Sequence, residues 1–372
     1  MIMSYYQLYS KYKGLPLEKL LSDIRTSDVT RAINSGAQSE NQLLALLSPS
    51  AVDYLEDMAQ QAHRLTVMNF GKAIQLYTPM YLSNYCDNQC AYCGFNAANP
   101  LPRKKLSLEE VEKEAACISS TGLEHILILT GDSRKNSPIG YIKDCLKILK
   151  KYFTSISIEI YALTQDEYIE MAREGVDGLT LYQETYDHAA YDRLHISGPK
   201  KDYLSRLDAP ERAAKSGLRN VNIGVLLGLA NWREDAFFLG LQAKYLQDKF
   251  PDVEIGAAIP RLRPYGGNFK AMNIVSDKNV AQIIMALRIF LPRLGITLST
   301  REDPRLRENL LPLGITRMSA GSSTRVGGHT IESPEESNLA QFEISDTRSV
   351  QEIKDMLAQK GYQAVLKDWV RI

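Results

Sequence analysis

The chain reads as an α/β protein, a parallel (β/α)8 barrel of the TIM type, on three observations. These are eight short β-rich runs, amphipathic segments alternating with them, and capping signatures where those segments begin. Periodicity does not reveal closure, so a doubly wound open sheet has the same pattern. At 372 residues and 44% hydrophobic, the chain suits one such barrel or two smaller domains.

Taken in order, residues 1–72 are expected to form a helical extension. Ser39 can cap a helix through Leu47; after Ser48 and Pro49, apolar Val52, Leu55, Ala59, Ala62 and Leu65 recur at helical spacing until Gly71. Such helices either pack against the strand-rich region downstream or plug it. Residues 73–320 carry the barrel pattern, with strands expected near Leu76 to Leu82, His125 to Thr130, Ser155 to Tyr161, Gly178 to Tyr182, Val221 to Leu227, Val253 to Ile259, Ile296 to Ser299 and Ile315 to Ser319. Ser107 with Glu110 and Thr164 with Glu167 predict reciprocal helix caps, and Asp208 with Pro210 and Glu211 a weaker one. Residues 321–372 begin with a polar Gly, Ser, Thr and Glu-rich stretch lacking periodicity to about residue 341, which reads as a surface tail or an ordered loop over a site. A capped helix, Ser349 to Gln359, and a strand-like YQAVLKDW return the chain to the body of the protein.

Charge excludes some functions. The 44 basic and 44 acidic side chains cancel, so there is no general pull toward nucleic acid or an anionic membrane. No apolar run approaches membrane-spanning length, and the N-terminal MIMSYYQLYSKYKG lacks the pattern of a secretory leader, so the cytoplasm is the expected location. Five cysteines, with Cys117 and Cys145 isolated in helical patterns, do not make a disulfide framework.

The other three cysteines crowd into YLSNYCDNQCAYCGF as C-x3-C-x2-C: Cys86, Cys90 and Cys93. Three thiolates can hold three corners of an iron-sulfur cube and leave one iron open to a further ligand. Structural zinc is the alternative, but it takes four closed ligands, and no His or further Cys lies close by in the chain. Tyr92 and Phe95 would shield a cluster from water, and Gly94 would let backbone approach it.

This cysteine spacing, followed by glycine and an aromatic residue, resembles the radical S-adenosylmethionine enzymes. LYLSNYC, YCGF, YQETY, NWRED, FPDVEIGAAIPRLRP, LSTRE and SAGS together look most like the aromatic amino acid lyases of that superfamily, over nearly the whole chain from Ser39 to the KDW near its end. The resemblance implies a [4Fe-4S] cluster on the three cysteines, S-adenosyl-L-methionine on the open iron, and cleavage of the Cα–Cβ bond of L-tyrosine to 2-iminoacetate and p-cresol for the thiazole of thiamine. The related hydrogenase-maturation lyases carry extra C-terminal cysteines for a second cluster, and no cysteine follows Cys145 here. A tryptophan lyase, and in another class an electron-transfer iron-sulfur protein, are the competing readings. The resemblance also implies thiazole synthase and a reductant protein such as flavodoxin or ferredoxin as partners.

In a barrel, function gathers at the carboxyl ends of the strands. Thr130, Gly131 and Asp132 end the second; alone they are an ordinary turn, and by resemblance they touch the cofactor's amino group, with Asp132 one methylene shorter than that motif's glutamate. Glu159 ends the third strand and Glu184 the fourth. Acids in a barrel mouth need donors, either an internal cation or a ligand, and the resemblance gives them to the cofactor. By the same resemblance Arg206 reaches the cofactor's carboxylate. GVLLGL, around Val225, belongs to the cofactor side as well, where Gly224 and Gly228 admit a flat ring or merely form strand-end turns. Arg301 and Ser319, on adjacent strand ends, make a clamp for an amino acid carboxylate, or Arg301 pairs with Glu302 or Asp303. In the lyases such a pair binds substrate together with a tyrosine five residues before the first cysteine, here Tyr81, and Ser322 lies close enough to substitute for Ser319. Arg261 and Arg263, in IPRLRP at the sixth strand, are expected to line the mouth as well, with no role assigned.

Overall fold

The computed structural model describes residues 4–36, 38–265, 267, 269–330 and 340–367. Nine strands run in parallel: β1 (Ala73–Ser83), β2 (His125–Thr130), β3 (Ser155–Glu159), β4 (Gly178–Glu184), β5 (Asn220–Val225), β6 (Glu254–Ala258), β7 (Gly295–Leu298), β8 (Arg317–Ser319) and β9 (Gln363–Val365). The first eight close into a barrel, because β1 pairs with β8 on one side and β2 on the other, which rules out the open sheet. All of β2 and β5 is buried, as strands covered by helices outside and by the barrel's core inside must be.

The ninth strand finishes the bottom of the barrel. Pairing of β1 with β2 starts only at Thr78 and Ile126. Below that point β9 pairs with Ala73–Gln75, and the Leu366 carbonyl accepts from the Glu124 amide at 2.9 Å. The last residues of YQAVLKDW, with Asp368 and Trp369 of KDW, lie outside the described residues.

Ser107 and Thr164 cap their helices as expected, each accepting from the third helical amide while Glu110 and Glu167 reciprocate. The start expected at Asp208 is wrong. Asp202 accepts from the Ser205 amide at 2.9 Å and opens the helix Tyr203–Ala214 earlier, so Asp208 and Pro210 fall inside it. Near the N-terminus, Ser39 caps Glu40–Leu47, and Gly71, at φ 64°, ends Leu55–Phe70. That helix buries Met58, Ala62 and Thr66, while Leu55, Ala59 and Leu65 are half-buried, so its inner face is turned from the one the apolar spacing suggests. These helices pack on the barrel's outer layer rather than plug it. Tyr5 donates to the Phe238 carbonyl at 2.7 Å, Tyr9 to Tyr186 at 2.8 Å, and Gln282 to the carbonyls of Leu46 and Ser48, both at 3.0 Å. Among the described residues no helix is long and apolar enough to cross a membrane.

Candidate active site

The loop after β1 is held rigid from three sides. Arg103 donates to the carbonyls of Asn84 at 2.7 Å, Phe95 at 2.9 Å and Asn96 at 2.6 Å, tying the loop's two ends together. On another side, Gln89 and Ala91 donate to Ser197 and Leu194, both at 2.9 Å, and Ile196 donates back to Gln89 at 3.0 Å. Burial, helped by the Lys200 charge, depresses His195 to about 3, so its ring is neutral. Its Nδ1 donates to the Tyr191 carbonyl at 2.8 Å, and Nε2 therefore accepts from Tyr92 at 2.8 Å. Tyr92 and Phe95 are both buried. On the third side the Gly94 amide donates to the Gln341 carbonyl at 3.2 Å; a Cβ on Gly94 would sit 2.4 Å from that oxygen. The glycine thus admits a backbone strap from the C-terminal region.

The three thiols fit an iron-sulfur cluster. Burial, then the charges of Asp132 and Cys93, pushes Cys86 up to about 12; burial likewise raises Cys90 and Cys93, and the Cys86 and Cys93 charges add to the rise at Cys90. A buried set of neighbouring thiols becomes a thiolate set only when iron compensates it. Structural zinc would take four ligands converging on one ion. A cubane binds each thiolate through a different iron, so its ligands need not converge.

Next to this loop lies a group of paired charges. Glu184 has φ 73°, where the pairing of β4 with β5 slips between Tyr182 and Glu184. Such backbone in a non-glycine residue costs about 1–3 kcal/mol and persists only where its surroundings enforce it. Here Glu184 Oε1 lies 2.6 Å from Lys200 Nζ and 3.9 Å from Arg206 Nη2. Burial alone would raise this carboxyl, but the Lys200 and Arg206 charges outweigh it and hold it below the usual range. Arg206 Nε is fixed on the Tyr182 carbonyl at 2.7 Å. Asn88 joins the strands, donating to Asp132 Oδ2 at 2.9 Å and accepting from the Lys200 amide at 2.8 Å. Asp132, Lys200 and Arg206 line a cavity with Asp87 and Tyr161, while Lys200 and Glu184 also face the barrel's central cavity. Both signs of charge are therefore at hand for the carboxylate and ammonium of an amino acid cofactor. Thr130, Gly131 and Val225 line neither cavity. Thr130 Oγ1 is buried without a partner, Gly131 leaves room for the Tyr85 carbonyl of the cysteine loop, and Val225 is fully buried beside cavity-lining Leu226. Gly224 gives its space to the Tyr182 ring, and Gly228, at φ 113°, is a turn.

Across the central cavity from Glu184, no ion pair is made by Arg301 or Glu159 among the described residues. Tyr81, Cys93, Glu159, Glu184, Arg301 and Ser319 all face the cavity. Arg301 makes no ion pair among the described residues: Glu302 is taken by Arg261, and Asp303 caps Pro304–Leu310. Its guanidinium lies 3.3 Å from the centroid of the Phe342 ring, and burial depresses its pKa. Glu159 makes no ion pair among the described residues; burial, then the Glu184 charge, pushes it up to about 7 against the opposing charges of Arg301, Lys200 and Arg206. Ser319 Oγ accepts from the Thr300 amide at 2.9 Å, whereas Ser322 Oγ is buried with no partner among the described residues. Of the two serines, Ser322 is the one with both donor and acceptor free.

Three polar or aromatic residues of the cavity, Lys200, Gln341 and Phe342, carry no motif in the sequence. Lys200 stands in the run SGPKKD, which has the composition of an ordinary surface turn. Gln341 and Phe342 lie at the end of the polar stretch, which is an ordered strap over the mouth from residue 340 onward: Glu343 donates to the Pro264 carbonyl at 2.9 Å and Ser345 to Thr300 at 3.0 Å. Arg263, left unassigned, faces the cavity and bonds to Ser345. Behind the strap, Asp346 pairs with fully buried Arg307 and, at 2.7 Å, with Arg348. Residues 331–339 of the same stretch lie outside the described residues.

Comparison with known proteins agrees with this geometry. Residues 80–238 match the Radical SAM superfamily, and residues 258–363 the Biotin and Thiamin Synthesis associated domain. The chain is 38% identical over 344 residues to the 2-iminoacetate synthases of Salmonella typhimurium and Escherichia coli, covering 92% of this chain and 90% of each enzyme. The X-ray structure of the FeFe-hydrogenase maturase HydG from Carboxydothermus hydrogenoformans superposes with a TM-score of 0.84 at 30% identity, covering 97% of this chain and 82% of that one. Methylornithine synthase, PylB, shares the fold at a TM-score of 0.73 and 21% identity, over 91% of this chain and 97% of its own. The chain belongs to the 2-iminoacetate synthase family of radical S-adenosylmethionine enzymes, which work with a [4Fe-4S] cluster and S-adenosylmethionine.

Proposed function

We propose that this enzyme cleaves L-tyrosine between Cα and Cβ to 2-iminoacetate and p-cresol, supplying the thiazole moiety of thiamine. The observation that carries the reading is Arg301: a half-buried side chain with no ion pair among the described residues, in one cavity with Cys93. A partly buried, unpaired cation is costly, and a substrate carboxylate held bidentately would offset that cost. Ser319 and Ser322 stand beside it, and Tyr81 lies between the cavity and the cysteine loop. The lining of Tyr77, Leu127, Leu129, Tyr182 and Leu226 suits an aromatic side chain.

When bound, the reduced cluster and S-adenosylmethionine supply a 5'-deoxyadenosyl radical able to take hydrogen from the substrate amine. The protein's own contribution is placement. Cys86, Cys90 and Cys93 hold the cluster, and Asp132, Glu184 and Arg206 hold the cofactor against it, with Glu159 facing it across the central cavity and Thr130, Gly131 and Val225 backing the strand ends. Arg301, Ser319 and Tyr81 present tyrosine from the opposite side, and the strap keeps water out. The cytoplasm, where the three thiols stay reduced, belongs to the same reading, as do complexes with thiazole synthase and with a flavodoxin or ferredoxin reductant.

Anaerobic reconstitution followed by S-adenosylmethionine, reductant and tyrosine tests it, with chromatography for 5'-deoxyadenosine and p-cresol. Both products are expected. Deoxyadenosine without p-cresol would remove the tyrosine assignment, and the same assay with tryptophan would then show whether the neighbouring specificity applies.

A further inference from the structure

Gln341 comes from the strap, about 250 residues after the cysteine loop it touches, and its amide meets two groups of different purpose. Its Oε1 accepts from the Tyr81 hydroxyl at 2.7 Å, and its Nε2 donates to Cys93 Sγ at 3.7 Å. The side chain is fixed at its root, since the Gln341 amide donates to the Thr324 carbonyl at 3.1 Å and its carbonyl accepts from Gly94 at 3.2 Å. Tyr81 is fixed as well, edge-on to Phe95 with ring centroids 5.8 Å apart.

The order of donors and acceptors follows from chemistry. A cysteine bound to iron is a thiolate and can only accept, so the amide must turn Nε2 toward Cys93. Its oxygen then faces Tyr81, whose single hydroxyl proton is committed to Gln341. The oxygen of Tyr81 is left with acceptor capacity alone toward the cavity it lines. The proposed substrate has two donor groups, its amine and its phenol; Tyr81 lies close enough to Arg301 to act on its charge, so with the carboxylate on Arg301 the neighbouring amino group is the one that meets Tyr81.

We infer that Gln341 is a positioning residue: its carboxamide ties Tyr81 to Cys93, fixing Tyr81 as hydrogen-bond acceptor for the substrate's amino group and placing a hydrogen bond on a cluster sulfur. The substrate half rests on the tyrosine lyase reading, whereas the cluster half does not. Hydrogen bonds to the sulfurs raise a cluster's reduction potential, because they stabilise the more negative reduced state.

The test measures reconstituted Gln341→Leu and Gln341→Glu enzymes. The midpoint potential is titrated without substrate, with iron and sulfide content determined in parallel, and the KM for tyrosine is measured separately. At equal cluster content the potential should fall in Gln341→Leu and further in Gln341→Glu, where a carboxylate faces the thiolate. The KM should rise about tenfold in Gln341→Leu, with a similar rise in Tyr81→Phe. If Gln341→Leu fails to hold a cluster, Gln341→Asn, which keeps the amide but withdraws it by one methylene, should show the lowered potential. A midpoint potential unchanged in every cluster-bearing variant overturns the inference. A shifted potential with an unchanged KM overturns its substrate half, and absence of p-cresol from the unaltered enzyme would defeat the tyrosine reading while leaving the potential shift intact.

Discussion

The two sides of the barrel mouth handle charge in opposite ways. Beside the cysteine loop, Glu184 is strained in backbone and paired with Lys200 and Arg206, so the charges are satisfied without any ligand. Across the cavity Arg301 and Glu159 make no ion pair and Ser322 Oγ no hydrogen bond among the described residues, although Arg301 and Glu159 act on each other's charge at longer range. A paired cluster holds a fixed shape for a cofactor that must sit against the iron in one orientation. Unpaired groups raise the energy of the empty site, and that energy is returned when a complementary ligand arrives. On this account the paired side is built for the resident cofactor and the unpaired side for the substrate that turns over.

Breaking the paired side should have the largest effects. Cys90→Ala is expected to abolish both 5'-deoxyadenosine and p-cresol, read by chromatography, because two thiolates do not retain a cubane. Glu184→Gln leaves Lys200 and Arg206 facing each other without their anion, and thermal unfolding at matched cluster content should show a loss of about 3 kcal/mol.

The unpaired side is probed by pH. Glu159 titrates near 7 in the folded protein and near 4.3 when unfolded. Below the lower value both states hold the proton. Between the two, only the folded state does, so stability of the ligand-free protein should fall as pH rises across that window, by about 4 kcal/mol at most. Glu159→Gln should flatten this slope in denaturant titrations taken from pH 4.5 to 7.5; a slope equal to that of the parent would place the proton elsewhere. Ser322→Ala should have the smallest effect. Without ligand its stability should stay within about 0.5 kcal/mol of the parent, since no hydrogen bond is lost, and its tyrosine KM should rise about threefold.

Legibility in the sequence divides along similar lines. The eight barrel strands and the caps at Ser107, Thr164 and Ser349 could be read because alternation and capping are local signals. Closure, the place of β9 and the strap were not, since each depends on a partner far along the chain. Gln341 reaches Tyr81 and Cys93 from a stretch with no period, and Pro210 suggested a helix start that the cap at Asp202 had already made. The cysteine loop and the strand-end acids stood out by residue type, and the structure brings Tyr81, Cys93, Glu159, Glu184, Arg301 and Ser319 to one cavity. Lys200 was hidden among ordinary surface lysines, because only the fold shows that it reaches Glu184.

The division of the mouth is tested most directly by equilibrium binding to reconstituted Arg301→Met enzyme, measured separately for S-adenosylmethionine and for tyrosine. The account predicts cofactor affinity within about twofold of the unaltered enzyme and tyrosine affinity lowered roughly a hundredfold, as loss of a charge-assisted pair implies. Equal losses for both ligands, or unchanged binding of tyrosine, would contradict it.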